Sequence, residues 1–178
     1  GVVNTHLKGT FPVARAAVGL VGDHRPERLE HLERRRVADR PRRDPLAGGR
    51  RFGGVLVRDG EVVARAANRI HETGDPTAHA ELLAIREAAQ RLGRPRLDGC
   101  VIYASGHPCP MCLAAMHLCG IEAVYYAYSN EEGEPYGLST AAIYAQMALA
   151  PKEQALLVRA LRPRDEVGLY EQWARLRP

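Results

Sequence analysis

Four side chains in two short clusters carry the chemistry of this sequence. His79 and Glu81 stand two apart in Thr77-Ala78-His79-Ala80-Glu81. Cys109 and Cys112 stand three apart in Pro108-Cys109-Pro110-Met111-Cys112. Zinc favours tetrahedral nitrogen and sulfur ligands, and a catalytic zinc keeps three protein ligands and one position for water. Two cysteines three apart near a helix start can project toward one point, and a helix N-terminus favours their thiolate forms. His79 would supply the third ligand, so His79, Cys109 and Cys112 form the candidate metal site. Glu81 is the candidate catalytic residue. Zinc lowers the pKa of water, and Glu81 would take the released proton and return it to a leaving group. Each part has a plainer reading. A lone C-x-x-C can be half of a structural zinc site or a redox pair, a lone His a packed or surface residue, and a lone Glu a first-turn acid favoured by the helix dipole. Cys100 and Cys119 are read as small buried hydrophobes.

These residues need elements to hold them. Gly53–Arg58 and Glu61–Asn68 read as strands around Asp59-Gly60, a strong two-residue hairpin signal. Residues 77–92 read as a helix with its apolar stripe on Leu82, Leu83, Ile85, Ala89 and Leu92, capped by Asp75 with Pro76 in its first turn, and ended by Gly93. Cys100–Ser105 reads as a buried strand, and 108–118 as a helix that starts with Pro and is followed by Gly120. Glu122–Ala127 reads as a strand, Ser139–Leu149 as a helix, Ala155–Leu161 as a strand and Val167–Leu176 as a terminal helix. This order predicts a three-layer α/β/α sandwich around one sheet. Both motifs then fall on helix starts.

The chain has 178 residues, 46% hydrophobic and 26% charged, which suits one globular domain. No stretch approaches the roughly 20 apolar residues of a membrane helix. Phe11–Gly22 is interrupted by Arg15 and reads as a helix or core segment rather than an export signal. Aromatic content of 6% argues against a stacking platform for single-stranded nucleic acid. Tyr125, Tyr126, Tyr128, Tyr136 and Tyr144 read as core and dimer packing. Four cysteines within 20 residues, without a convincing signal peptide, fit a reduced cytoplasmic protein. The net charge is +4, but residues 1–51 hold 12 basic and 6 acidic side chains, whereas 52–178 hold 13 basic and 15 acidic. The excess positive charge, which would otherwise suggest a polyanion partner, therefore lies outside the region with the motifs. The chain divides into an Arg-rich segment, 1–51, of unknown role and a candidate zinc domain, 52–178. Within the first, Pro26–Ala38 carries a weak helical stripe that Pro41 ends.

The paired H-x-E and P-C-x-x-C motifs resemble those of the cytidine deaminase-like zinc deaminases. Asp75–Arg86 and Pro108–Met116 look closest to the bacterial guanine deaminase and nucleoside deaminase branch, and the resemblance runs from about Phe52 to Trp173. It implies a five-stranded mixed sheet between helices, one zinc per chain and a homodimer. It implies that His79, Cys109 and Cys112 match the zinc ligands and that Glu81 matches the proton shuttle, which passes its proton to a ring nitrogen and then to leaving ammonia. Asn68 matches a base-contacting Asn, or is a strand-end Asn in a turn. Tyr170 and Trp173 resemble a C-terminal segment that helps close the site. His107 stands where the branch usually has Glu, and is either a substrate contact or a solvent-facing loop residue. Ser139 and Thr140 stand where the branch commonly has an acidic pair that reads the purine edge. Arg51 replaces a usual Pro.

The leading expectation is hydrolytic deamination of a small amino-substituted heterocycle: guanine or a related purine, a pterin, a triazine or a cytosine-like base. A deaminase acting on tRNA or DNA is the alternative, supported by the Arg-rich start. A non-catalytic zinc-stabilised interaction module is the third.

Overall fold

A computed structural model describes residues 52–162 and 168–176. The expectations for residues 1–51, including the helical stripe over 26–38, lie outside the described residues. Strands β1 (Gly53–Arg58) and β2 (Glu61–Ala67) form the expected hairpin. Asp59 and Gly60 both take positive φ, 49° and 79°, as a two-residue turn of the favoured hand requires. Leu56 faces Ala64 while Val57 faces Val62, so Val63 is an extra residue that bulges the strand. The Val63 carbonyl accepts from the Arg91 guanidinium at 2.5 Å.

Helix α1 (Ile70–Thr73) is a single turn, followed by α2 (Ala80–Leu92). Strand β3 (Cys100–Gly106) pairs antiparallel with β1 and parallel with β4 (Ala123–Tyr128), and α3 (Pro110–Cys119) makes the crossover between them. The strand order is β2-β1-β3-β4. Beyond it come α4 (Asn130–Gly133), α5 (Ala141–Met147) and α6 (Leu169–Leu176), with 3₁₀ turns at Glu134–Tyr136 and Pro151–Glu153. No helix among the described residues is long and apolar enough to cross a membrane.

The core lies between one sheet face and the helices α2 and α3. Leu56, Ala64, Cys100 and Ile102 from the strands meet Ala84 and Ala88 of α2 and Cys112, Met116 and Cys119 of α3. Cys100 and Cys119 are thus packing residues, as expected. Helix α2 buries Ala80, Ala84 and Ala88, a stripe of small side chains four apart that lets its axis approach the sheet closely. The approach is tightest at Gly54, where an added Cβ would stand 3.2 Å from the Ala80 carbonyl group and the Glu81 nitrogen. We expect Gly54→Ala to destabilise the protein by about 1–3 kcal/mol through overpacking. Denaturant unfolding checks this, and an unchanged midpoint would remove the close approach as a constraint.

The α/β class and the mixed sheet are as expected, but the sheet of the described residues has four strands, not five. Ala155–Leu161 is not a strand. It forms a bend and irregular chain, with Leu156, Leu157, Val158 and Leu161 exposed. The reason is local: Ala155 N–H donates to the Gln146 side chain at 2.7 Å and the Gln154 amide donates to the Leu149 carbonyl, which tie this segment to α5. The tyrosines read as packing residues do not pack into the core of the single chain. Tyr125, Tyr126, Tyr128 and Tyr136 are exposed, and only Tyr144 is half-buried.

Candidate active site

The site lies where α2 and α3 begin. Asp75 does not cap α2. Its carboxylate instead accepts from the Thr77 N–H and hydroxyl, both at 2.7 Å, in a turn that keeps the next residues out of the helix. His79 is therefore the N-cap residue, with extended φ −70° and ψ 148° and no side-chain cap bond. Its carbonyl accepts the first helical hydrogen bond, from Leu83, while its ring is free to turn toward α3. Cys109 repeats the arrangement at the start of α3: an N-cap with φ −71° and ψ 164°, followed by Pro110 at the first helical position. Cys112 stands one turn further on, on the same helix face as Cys109.

Two extended N-caps and one first-turn cysteine converge. Nδ1 of His79 lies 3.6 Å from Cys109 Sγ and 3.6 Å from Cys112 Sγ, and the two sulfurs are 3.5 Å apart. Tetrahedral zinc at ordinary bond lengths requires S···S of about 3.8 Å and S···N of about 3.6 Å. The donor set and its dimensions therefore fit zinc. This is the one such group of His, Cys, Asp or Glu among the described residues. Glu81, in the first turn of α2, is 8% exposed, and its Oε2 is 3.7 Å from Cys112 Sγ. It borders the triangle without being a corner of it.

The electrostatics follow from packing. The hydrogen bond between Cys109 and Cys112, together with the His79 ring, brings the Cys109 thiol down to about 4. Cys112 is pushed up, by its bond to Cys109 and by burial, with the Glu81 charge adding to them. His79 is raised, chiefly by its bond to Cys109. Burial raises Glu81, favouring its proton-carrying form.

The other sequence-nominated residues are placed less directly. Asn68 accepts from the Ile70 N–H at 3.1 Å, and the adjacent Arg69 N–H donates to the Ala78 carbonyl, which ties this turn to the chain entering His79. His107 is half-buried. Its ring stands edge-on to Tyr126 (4.7 Å) and Tyr144 (5.4 Å). Its Nδ1 lies 3.1 Å from the Pro108 carbonyl and 3.3 Å from the Asn130 amide nitrogen, contacts that demand opposite tautomers. The Tyr144 hydroxyl already donates to the Pro108 carbonyl at 2.6 Å, and Asn130 Oδ1 accepts from the Thr140 N–H and hydroxyl. We therefore assign Nδ1 as the acceptor from Asn130, with the proton on Nε2. Tyr170 and Trp173 lie on α6, 82% and 52% exposed. Sequence reasoning did not nominate Asn130 for the site and read Tyr144 only as packing. A half-buried Tyr on an otherwise exposed helix is the one signal that marks it.

Comparison with known proteins agrees with this geometry. Residues 36–128 match the family described as the cytidine and deoxycytidylate deaminase zinc-binding region. The chain is 34% identical over 122 residues to a guanine deaminase of Bacillus subtilis, covering 68% of this chain and 78% of that protein. It is 46% identical over 82 residues to a tRNA-specific adenosine deaminase of Agrobacterium fabrum, covering 46% of this chain and about half, 54%, of that protein. The crystal structure of guanine deaminase from Bacillus subtilis superposes with a TM-score of 0.65 at 33% identity, covering 71% of this chain and 80% of that one. With a family match over half its length and a donor triangle of zinc dimensions, the chain belongs to the cytidine and deoxycytidylate deaminase family and is a zinc-binding hydrolytic deaminase.

Proposed function

We propose that the chain deaminates a small amino-substituted heterocycle, with His79, Cys109 and Cys112 as the zinc ligands and Glu81 as the proton carrier. One observation carries the reading: the triangle of Nδ1 and two Sγ atoms, 3.5–3.6 Å on each side, with a buried carboxylate at its edge. When bound, zinc supplies the Lewis acidity that activates water near neutral pH. Glu81 accepts the water's proton on its carboxylate oxygen and delivers it to the ring nitrogen of the base, then takes a second proton from the newly added hydroxyl and gives it to the amino group, which departs as ammonia and leaves a carbonyl. Asn68, His107, Tyr170 and Trp173 are the proposed contacts to the base.

The substrate is a free purine, pterin, triazine or cytosine-like base. Ser139 and Thr140 put two neutral hydroxyls where the related branch commonly has carboxylates, and both are engaged: Ser139 Oγ accepts from Ala141 N–H and Thr140 Oγ1 donates to Asn130. A hydroxyl binds a base edge that carries two N–H donors less strongly than a carboxylate does. This favours bases without guanine's N–H edge. A second reading, action on a base within tRNA, is favoured by the identity to tRNA-specific adenosine deaminases. An ammonia-release screen over free bases, their nucleosides and tRNA separates the two. Release from a free base alone supports the first reading. Release from tRNA alone, with salt-sensitive binding, replaces it with the second.

The proposal extends to a homodimer. The apolar stripe of α6, Leu169, Tyr170, Trp173 and Leu176, is exposed, as are Tyr125, Tyr126 and Tyr128 of β4. Sedimentation at the monomer mass would overturn it. A cytoplasmic location suits the four free thiols, and export to an oxidising compartment in a fractionation experiment would remove it. We also propose residues 52–178 as the deaminase domain, separate from 1–51. Loss of zinc after proteolytic removal of 1–51 would sink that division.

A further inference from the structure

Cys109 sits between two prolines, and both fix their own φ near −65°. Pro110 also confines Cys109 to extended backbone, ψ 164°, so the main freedom left at this corner is rotation of the peptide plane joining Pro108 to Cys109. That plane carries the Pro108 carbonyl, which lies outside the α3 ladder because the first acceptor of the helix is the Cys109 carbonyl. Pro108 is buried, so this carbonyl needs a hydrogen-bond donor. The Tyr144 hydroxyl supplies it at 2.6 Å. Tyr144 is itself secured. Its backbone N–H donates to the Thr140 carbonyl, Thr140 is bonded to Asn130, Asn130 is bonded to the His107 ring, and that ring packs edge-on against Tyr144. The loop bearing the first thiolate is thus closed by a circuit that returns to one phenol.

From this geometry we infer that Tyr144 is a positioning residue: by holding the Pro108 carbonyl, its hydroxyl sets the direction in which Cys109 presents its sulfur to zinc. The inference rests on the assignment of Cys109 as a ligand made above. Burial, with the two thiols nearby, raises the phenol and keeps it a donor.

The test is Tyr144→Phe in the full zinc-loaded chain, which keeps the ring contact and removes one hydroxyl. Zinc affinity, by competition with a chromogenic chelator, is expected to fall roughly 10-fold or more. The absorption bands of the cobalt-substituted protein are expected to shift. Tyr136→Phe, at a tyrosine 75% exposed, leaves both unchanged. Affinity within twofold of the parent and an identical cobalt spectrum overturn the inference, as does a lower melting temperature without either change. If the Phe variant does not fold, Asn130→Ala opens the same circuit and carries the same expectation. Neither readout needs turnover, so failure to deaminate any base would overturn the functional proposal and leave this inference standing. A Cys109→Ala protein that kept the parent's cobalt bands would overturn the ligand assignment and this inference with it.

Discussion

A Glu81→Gln protein is expected to keep its zinc and its fold and to lose deamination by about 10²–10⁴-fold, the range that general acid–base catalysis supplies. The amide matches the carboxylate in size, so the first turn of α2 and the close contact at Gly54 are undisturbed. It cannot accept and release a proton, which is the proposed task. Glu81 is 8% exposed and borders the donor triangle without completing it, so its loss should leave metal content at the parent ratio. Ammonia release and metal analysis on the same preparation check both halves. Turnover at the parent rate removes Glu81 from its role. A zinc-free variant reassigns it as a ligand.

Cys112→Ser should release the metal. Cys112 has no exposed surface and packs in the core with Met116 and Ile102, so substitution removes a ligand and also buries a hydroxyl. Cys119 separates the two effects, because it lies in the same core but outside the triangle. Cys119→Ser puts a hydroxyl beside the Met116 carbonyl that Sγ now meets, so it is expected to cost at most about 1–3 kcal/mol and to retain zinc. Cys112→Ser is expected to lose more zinc affinity than the roughly 10–100-fold that loss of an outer partner causes, and its melting temperature should no longer respond to a chelator. Equal zinc content in the two variants would sink the assignment of Cys112.

The sequence showed the corners of the site more clearly than their setting. The Asp59-Gly60 turn, the Pro110 start and Gly120 stop of α3, and the two cysteines on one helix face all follow from local rules, and all are present. The start of α2 was misplaced because Asp75 had two uses. Its carboxylate can cap a helix or close a turn with Thr77, and the turn won. That choice puts His79 at the N-cap and frees its ring. Ala155–Leu161 failed as a strand because composition measures the capacity to pair and names no partner. A glutamine side chain took its first backbone donor instead. The bonds from Asn130 and Tyr144 were out of reach for another reason. They join residues 10 to 36 positions apart through single polar atoms, and no periodicity records such links.

His79 and Cys109 are 30 positions apart in the chain, and β3, paired to strands on both sides, runs between them. Neither half of the triangle holds three donors alone, so no shorter stretch of unfolded chain offers a complete ligand set. Zinc therefore acts as a clasp that closes only on the finished unit, and its affinity is linked to the docking of α2 beside α3. Removing zinc is therefore expected to loosen α2 from α3 before it disturbs the β1–β2 hairpin.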